Sequence, residues 1–241
     1  MASILLSNGL RYQPRPVIQS YTAYTASLAE LNAAHLRGPR APDWIVFDIT
    51  PIDVRYPSLD DNLSWPELLA RYAPQPIDKP LVGGGCLLKK RDRPGSFELV
   101  PITTLDTRID QWTAVPSAEE GPVWAKIHVG TTIAGKLADA ALRRPRIYLT
   151  IGWPNGIQER FLGIPALMDA GFLLSPVISC GADFYWMSDT SAQGPRWRQG
   201  VPDRTVKNFR IETSGRWAYG DKIKVEFYRL RISPADGAGG H

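Results

Sequence analysis

Tyr185, Trp186, Trp197, Trp217 and Tyr219 lie in or beside segments rich in Gly, Pro, Ser and Arg, the densest being Gln193-Gly194-Pro195-Arg196-Trp197-Arg198-Gln199-Gly200. A loop tryptophan flanked by arginine offers an apolar platform with hydrogen-bond donors at its edge, an arrangement that suits a sugar ring. The competing account is that these aromatics cover the open ends of a β-protein. A second group is acidic: Asp43, Asp48, Asp53, Asp60 and Asp61 follow one another closely, with Arg55 among them. Carboxylates at the end of a strand can serve as acid, base or cation ligand, and Asp48, Asp53 and Arg55 would meet a sugar there. Acidic residues ahead of a helix are also ordinary, because they stabilise its first turn.

Other chemistries are poorly served. Gly83-Gly84-Gly85-Cys86 resembles the start of a phosphate loop but lacks the Gly-Lys-Ser/Thr ending and a following amphipathic helix. Cys86 as a nucleophile needs a base, and of the internal histidines His35 and His128 neither sits in a local motif. No Gly-x-Ser-x-Gly elbow occurs. Cys86 and Cys180 belong to no CxxC, so a zinc ribbon or thioredoxin-type pair is excluded, and two buried thiols are favoured over one disulfide. We therefore expect no catalytic residue, no metal and no cofactor, with a calcium site built from carboxylates and backbone carbonyls the one alternative that spacing leaves open.

Composition sets the outer limits. The 241 residues include 28 Lys plus Arg against 24 Asp plus Glu, a net charge of +4, with 44% hydrophobic residues. Disordered and fibrous classes are excluded. The basic residues are scattered, which argues against nucleic acid as a partner. Lys89-Lys90-Arg91-Asp92-Arg93 is the one local cluster and suits anionic lipid headgroups instead. No apolar run approaches the roughly 18 residues that cross a bilayer, and the N-terminus lacks the pattern of a signal peptide.

The elements that must position these residues fall into two kinds. Ser20 is expected to cap a helix whose stripe is Tyr21, Tyr24, Leu28, Leu31 and His35, ended by Gly38-Pro39. Trp44 to Ile49 reads as a buried strand. Ser64-Trp65-Pro66-Glu67 has the form of a capping box opening a second helix. Leu81-Val82 and Cys86 to Arg91 read as a strand broken by glycines. Beyond Phe97 the period becomes two, with strands expected at 97–104, 109–115, 123–129, 146–153, 158–164, 206–213 and 222–232. Trp153-Pro154-Asn155-Gly156 predicts a hairpin turn, and helical insertions are expected at 131–142 and 182–188. The fold class is thus α+β: a small α/β unit over 1–96, an antiparallel jelly-roll-like β-sandwich over 97–233, and a flexible Gly-rich tail over 234–241.

One resemblance is carried by four early stretches. They are Gln19-Ser20-Tyr21-Thr22-Ala23-Tyr24, Ala41-Pro42-Asp43-Trp44-Ile45-Val46-Phe47, Ile52-Asp53-Val54-Arg55-Tyr56-Pro57-Ser58-Leu59-Asp60-Asp61, and Trp65-Pro66-Glu67-Leu68-Leu69-Ala70-Arg71-Tyr72. With Ala170-Gly171-Phe172-Leu173-Leu174-Ser175-Pro176 and Lys224-Val225-Glu226-Phe227-Tyr228-Arg229-Leu230, these resemble the soluble region of uncharacterised bacterial polytopic membrane proteins, some similar to membrane glycosyltransferases. The resemblance carries no catalytic residue. It implies a periplasmic or extracellular domain of a larger protein, with membrane helices before residue 1 and the membrane-embedded part of that protein as a partner.

The expectation from sequence is a non-catalytic extracytoplasmic module that binds a cell-envelope saccharide. Its candidate ligand-binding residues are Trp186, Trp197, Trp217 and Tyr219, with Asp48, Asp53 and Arg55 as a second group. The alternatives are an enzyme acting on a glycan or lipid-linked sugar through Asp48, Asp53, Asp60 and Asp61, and a structural or assembly domain of a membrane protein.

Overall fold

The computed structural model describes residues 11–75, 85–141, 145–188 and 204–233, with Ser7 and Gly9 besides. The expected pieces at Leu81-Val82, at Trp197 and over 234–241 lie outside them. Eleven strands form three antiparallel sheets among the described residues, with five α-helices and several single 3₁₀ turns.

The chain opens with α1 (Ala26–Arg37), β1 (Trp44–Phe47), α2 (Ser64–Arg71), β2 (Tyr72–Gln75) and β3 (Cys86–Lys90). β1, β3 and β2 make a three-stranded sheet in that order. α1 begins later than expected. Thr25, not Ser20, is its cap, its side chain accepting from the Leu28 amide at 3.3 Å. The buried face is Ala29, Asn32, Ala33 and Leu36, whereas Tyr24 and Leu31 are exposed, so the expected stripe is rotated. Small side chains win that face because they let α1 approach α2 closely, a gain that periodicity alone does not register. α2 also departs from expectation. Leu63 precedes it without a side-chain cap, and Glu67 is buried between Arg37 (2.6 Å) and Arg71 (2.7 Å) instead of closing a capping box.

The rest of the chain supplies β4 (Ser96–Arg108), β5 (Thr113–Ala114), β6 (Val123–Thr131), α3 (Ile133–Ala141), β7 (Ile147–Gly152) and β8 (Gln158–Gly163). They are followed by α4 (Pro165–Ala170), β9 (Phe172–Ser175), α5 (Gly181–Ser188), β10 (Asn208–Thr213) and β11 (Tyr219–Ser233). The expected strands and both helical insertions are present here, while β2, α4 and β9 had no counterpart in the sequence reading. The pairings are nested: β4 with β11, β5 with β10, β6 with β9, and β7 with β8. The segment is thus one long antiparallel ribbon whose tip is the β7–β8 hairpin, where Gly156 takes φ +85°, the left-handed conformation that Asn-Gly turns favour. Folding this ribbon over gives two four-stranded sheets, β4-β11-β6-β9 and β5-β10-β7-β8.

Both sheets contribute to one apolar core. Ile127, Val225 and Phe227 from the first meet Leu149, Ile151 and Phe209 from the second, with the Phe209 and Phe227 rings 6.3 Å apart. The even-numbered residues of β11 face the other way, and their character changes along the strand. Lys224 and Glu226 border solvent, while Tyr228, Leu230 and Ile232 enter a second core with Trp65, Leu69, Leu88, Trp124 and Phe184. Residues before and after position 96 therefore share this second core, and the N-terminal unit covers the apolar half of that sheet face. No helix among the described residues is long and apolar enough to cross a membrane.

Candidate functional site

The outward face of the β5-β10-β7-β8 sheet gathers aromatic, basic and amide side chains. Register sets their positions: Arg210 of β10 pairs with Thr150 of β7, which pairs with Arg160 of β8, and Glu212 pairs with Tyr148 one step along. Residues at i and i+2 share a face. The alternate residues Phe209, Ile211, Leu149 and Ile151 point into the core, so Arg210, Glu212, Tyr148 and Thr150 point out.

Each arginine lies over an aromatic ring. The Arg160 guanidinium carbon is 3.7 Å from the Tyr148 ring centroid, and that of Arg210 is 4.8 Å from the Trp112 ring. Glu212 sits between them, 2.7 Å from Arg210 and 3.4 Å from Arg160, and accepts a hydrogen bond from the buried hydroxyl of Thr150. These contacts hold long side chains in place at partial exposure. Nε of Arg210 is buried and has no hydrogen-bond partner among the described residues. Beside this group the side chains of Asn208 and Trp112 fold over Gly152. A Cβ at Gly152 would overlap Oδ1 of Asn208 and approach Trp112 to 3.5 Å, so the absence of a side chain there makes room for both. With two guanidiniums and one carboxylate, the group carries one net positive charge.

The aromatic residues anticipated from the sequence are dispersed. Trp197 lies outside the described residues, and Trp186 belongs to α5, which packs against β2 and β3. Phe184 of that helix shares the second core with Leu230, near the far end of β11. Trp217 lies in the 3₁₀ turn Arg216–Ala218, immediately before β11, and is exposed. Tyr219 is buried and its hydroxyl donates to the Pro145 carbonyl. Trp186 and Trp217 thus belong to elements at opposite ends of β11, and Tyr219 turns inward beside an outward Trp217. The spacing suggested one platform because Gly- and Arg-rich sequence marks loops without marking which end of the fold they join.

The acidic group is largely engaged in holding the N-terminal unit together. Arg55 is buried, pairs with Asp60 at 3.1 Å, donates to the Tyr21 carbonyl at 2.9 Å and to the Tyr24 hydroxyl at 3.1 Å, and lies over the Tyr24 ring. Asp61 receives Arg15 at 2.8 Å and the Asn32 amide at 3.0 Å. Burial pushes the carboxyls of Asp60 and Asp61 up, against the pull of these cations. Asp48 and Asp53 are exposed. Asp48 accepts from Thr50 at 2.8 Å, and Asp53 and Val54 both take left-handed backbone, φ 55° and 56°. The structure therefore separates two solvent-facing carboxylates from two that are occupied by Arg55 and Arg15.

His128 of β6 stands between Asp169, on its Nδ1 side, and Glu226, 3.5 Å from Nε2. The two carboxylates lie on opposite edges of the imidazole, so they do not converge on one ion. Among the described residues no group of three His, Cys, Asp or Glu side chains is placed to share a metal. Cys86 and Cys180 are both free; burial pushes the Cys86 thiol up to about 12, which keeps it protonated and poorly nucleophilic at neutral pH. His35, on α1, has its pKa lowered by burial and by Arg40.

Sequence reasoning missed Trp112, Tyr148, Arg160, Arg210 and Glu212. Their signal lay inside strands that the sequence did reveal, as the polar members of the alternation Tyr148-Leu149-Thr150 and Arg210-Ile211-Glu212. No protein family, curated protein or solved structure matches this chain.

Proposed function

We propose that this chain is a non-catalytic binding module for a cell-envelope saccharide, acting outside the cytoplasm, and that its binding face is the outer surface of the β5-β10-β7-β8 sheet. The observation that carries this reading is the pair of arginine-capped rings, Tyr148–Arg160 and Trp112–Arg210, held around Glu212 beside Gly152, over which Asn208 and Trp112 pack. Rigid planar side chains with fixed donors meet the need of a sugar, which offers apolar C–H faces and a ring of hydroxyls. The net positive charge favours a saccharide bearing carboxylate or phosphate groups.

The nested pairing of eight strands supports reading the sandwich as a jelly roll, an architecture that lectin domains use. That support is an analogy of fold, and the side chains carry the argument. The pairing of Asp60 and Asp61 with Arg55 and Arg15 weighs against the rival in which an acidic cluster performs glycan chemistry.

A thermal-shift screen tests the reading. Acidic envelope saccharides at about a hundredfold above Kd should raise the melting temperature by roughly 5–10 °C, and the rise should vanish in Trp112→Ala and Tyr148→Ala. Stabilisation by a nucleotide sugar or a divalent cation, abolished by Asp48→Asn or Asp53→Asn, would transfer the assignment to an enzyme. Absence of any shift would favour a structural domain.

A further inference from the structure

Three large apolar side chains are exposed together at one end of the sandwich. Ile133 and Leu137 of α3 are 80% and 67% exposed, and Trp217 is 57% exposed. Ile133 and Leu137 are four residues apart, hence on one face of the helix. The patch is firmly built. Thr132 accepts the Gly135 amide at 3.0 Å, opening α3, while its hydroxyl donates to the Trp217 carbonyl at 2.7 Å and its amide to the Ala218 carbonyl at 3.1 Å. Gly135 lets the helix lie directly on that turn, since a Cβ there would overlap the Ala218 carbonyl oxygen. α3 and the 216–218 turn are thus locked together with these three side chains outward, an arrangement that displays apolar surface rather than burying it.

The border of the patch is basic. Lys136 projects from the exposed side of α3. Arg146 follows Pro145, whose ring adjoins Gly215, and Arg216 precedes Trp217. Against these, Asp110 pairs with Arg216 at 2.5 Å and Asp221 lies near it as well, so Lys136 and Arg146 carry the positive charge of the border. A shallow group of aliphatic side chains, a tryptophan and a cationic rim matches a bilayer interface, where aliphatic groups enter the acyl boundary, an indole stays at headgroup level, and basic residues meet anionic lipid. A second copy of the chain is a poor occupant. Three side chains expose on the order of a few hundred Å², short of the ~800 Å² per partner of a stable dimer, and face-to-face contact would bring the basic rims together.

We infer that this end of the sandwich, through Ile133, Leu137 and Trp217 with Lys136, Arg146 and Arg216 around them, docks on the surface of an anionic lipid bilayer. The proposal uses none of the side chains assigned to the saccharide-binding face and does not depend on that reading.

The test is flotation of the purified chain with vesicles of phosphatidylcholine, with and without phosphatidylglycerol. The chain should float with the mixed vesicles and much less with phosphatidylcholine alone. Ile133→Ser and Trp217→Ser should each weaken partitioning roughly tenfold, with melting temperatures unchanged because both side chains are exposed. Lys136→Gln with Arg146→Gln should reduce flotation only where phosphatidylglycerol is present. The proposal is overturned if the wild-type chain does not float, if the serine variants float equally well, or if sedimentation shows a dimer that these substitutions dissolve.

Discussion

The guanidinium of Arg160 lies 3.7 Å over the ring of Tyr148, from a neighbouring strand, while the same guanidinium faces Glu212 across the sheet. A side chain held by a ring on one side and a carboxylate on the other loses much of its rotamer freedom before any ligand arrives, which lowers the entropic cost of binding. If the stacking is a true interaction, a double-mutant cycle of Arg160→Ala and Tyr148→Ala in urea denaturation should give a coupling of about 0.5–1 kcal/mol. Additive effects would show the two side chains to be independent.

Arg55 is the keystone of the N-terminal unit. Its charge is buried, and its partners come from two separate stretches of chain, Tyr21 and Tyr24 from one and Asp60 from the other. Arg55→Met leaves the Asp60 carboxylate in a poorly solvated place without its cation, and should cost about 3–5 kcal/mol. Equilibrium denaturation measures this directly; a loss below 1 kcal/mol would contradict a structural role for Arg55.

Val54 is exposed yet has φ 56°, a conformation that a β-branched residue adopts only under strain. Val54→Gly should relieve it and stabilise the fold by about 1 kcal/mol, net of the greater freedom of glycine in the unfolded chain. The melting temperature of the variant decides the matter, and a decrease would mean that the valine side chain is needed.

The carboxyl of Glu226 is held down to about 2 by hydrogen bonds from Lys224 and Tyr228. A carboxyl with a lower pKa in the folded state than in the unfolded chain contributes stability above its ordinary value. That contribution is lost as pH falls from about 4.5 towards 2. Asp60 and Asp61 act in the opposite sense, because burial raises their pKa values and protonation relieves the cost. Urea denaturation of wild type and Glu226→Gln across this range should therefore give curves that converge as the pH falls. A constant gap would exclude Glu226 as a contributor to acid sensitivity.

Period-two alternation made most of the two four-stranded sheets legible. Ile223, Val225 and Phe227 on one face of β11, and the Asn155-Gly156 turn, needed only local chemistry. α1 was misplaced because its packing face is built from Ala29 and Ala33, residues too small to stand out in a hydrophobic pattern. β2 was missed because Pro74 and Gln75 argue against a strand, and β9 because Phe172 to Ser175 is a short, wholly buried run with no alternation. The candidate site was illegible for another reason. Trp112, Tyr148, Arg160 and Arg210 are distant in sequence, and only the pairing of β10 with β5 and β7, and of β7 with β8, brings them onto one surface. Local composition drew attention instead to Trp186 and Trp217, which the fold sends to different ends.

The most direct test of the binding face is a titration of the ¹⁵N-labelled chain with an acidic envelope saccharide, followed by two-dimensional NMR. The account predicts that the indole N–H of Trp112 and the amides of Thr150, Gly152 and Arg210 shift together with a single Kd, and that Trp112→Ala removes the response. Shifts confined to Trp217, Trp186 or the loop holding Asp48 and Asp53, with the β5-β10-β7-β8 face silent, would contradict it.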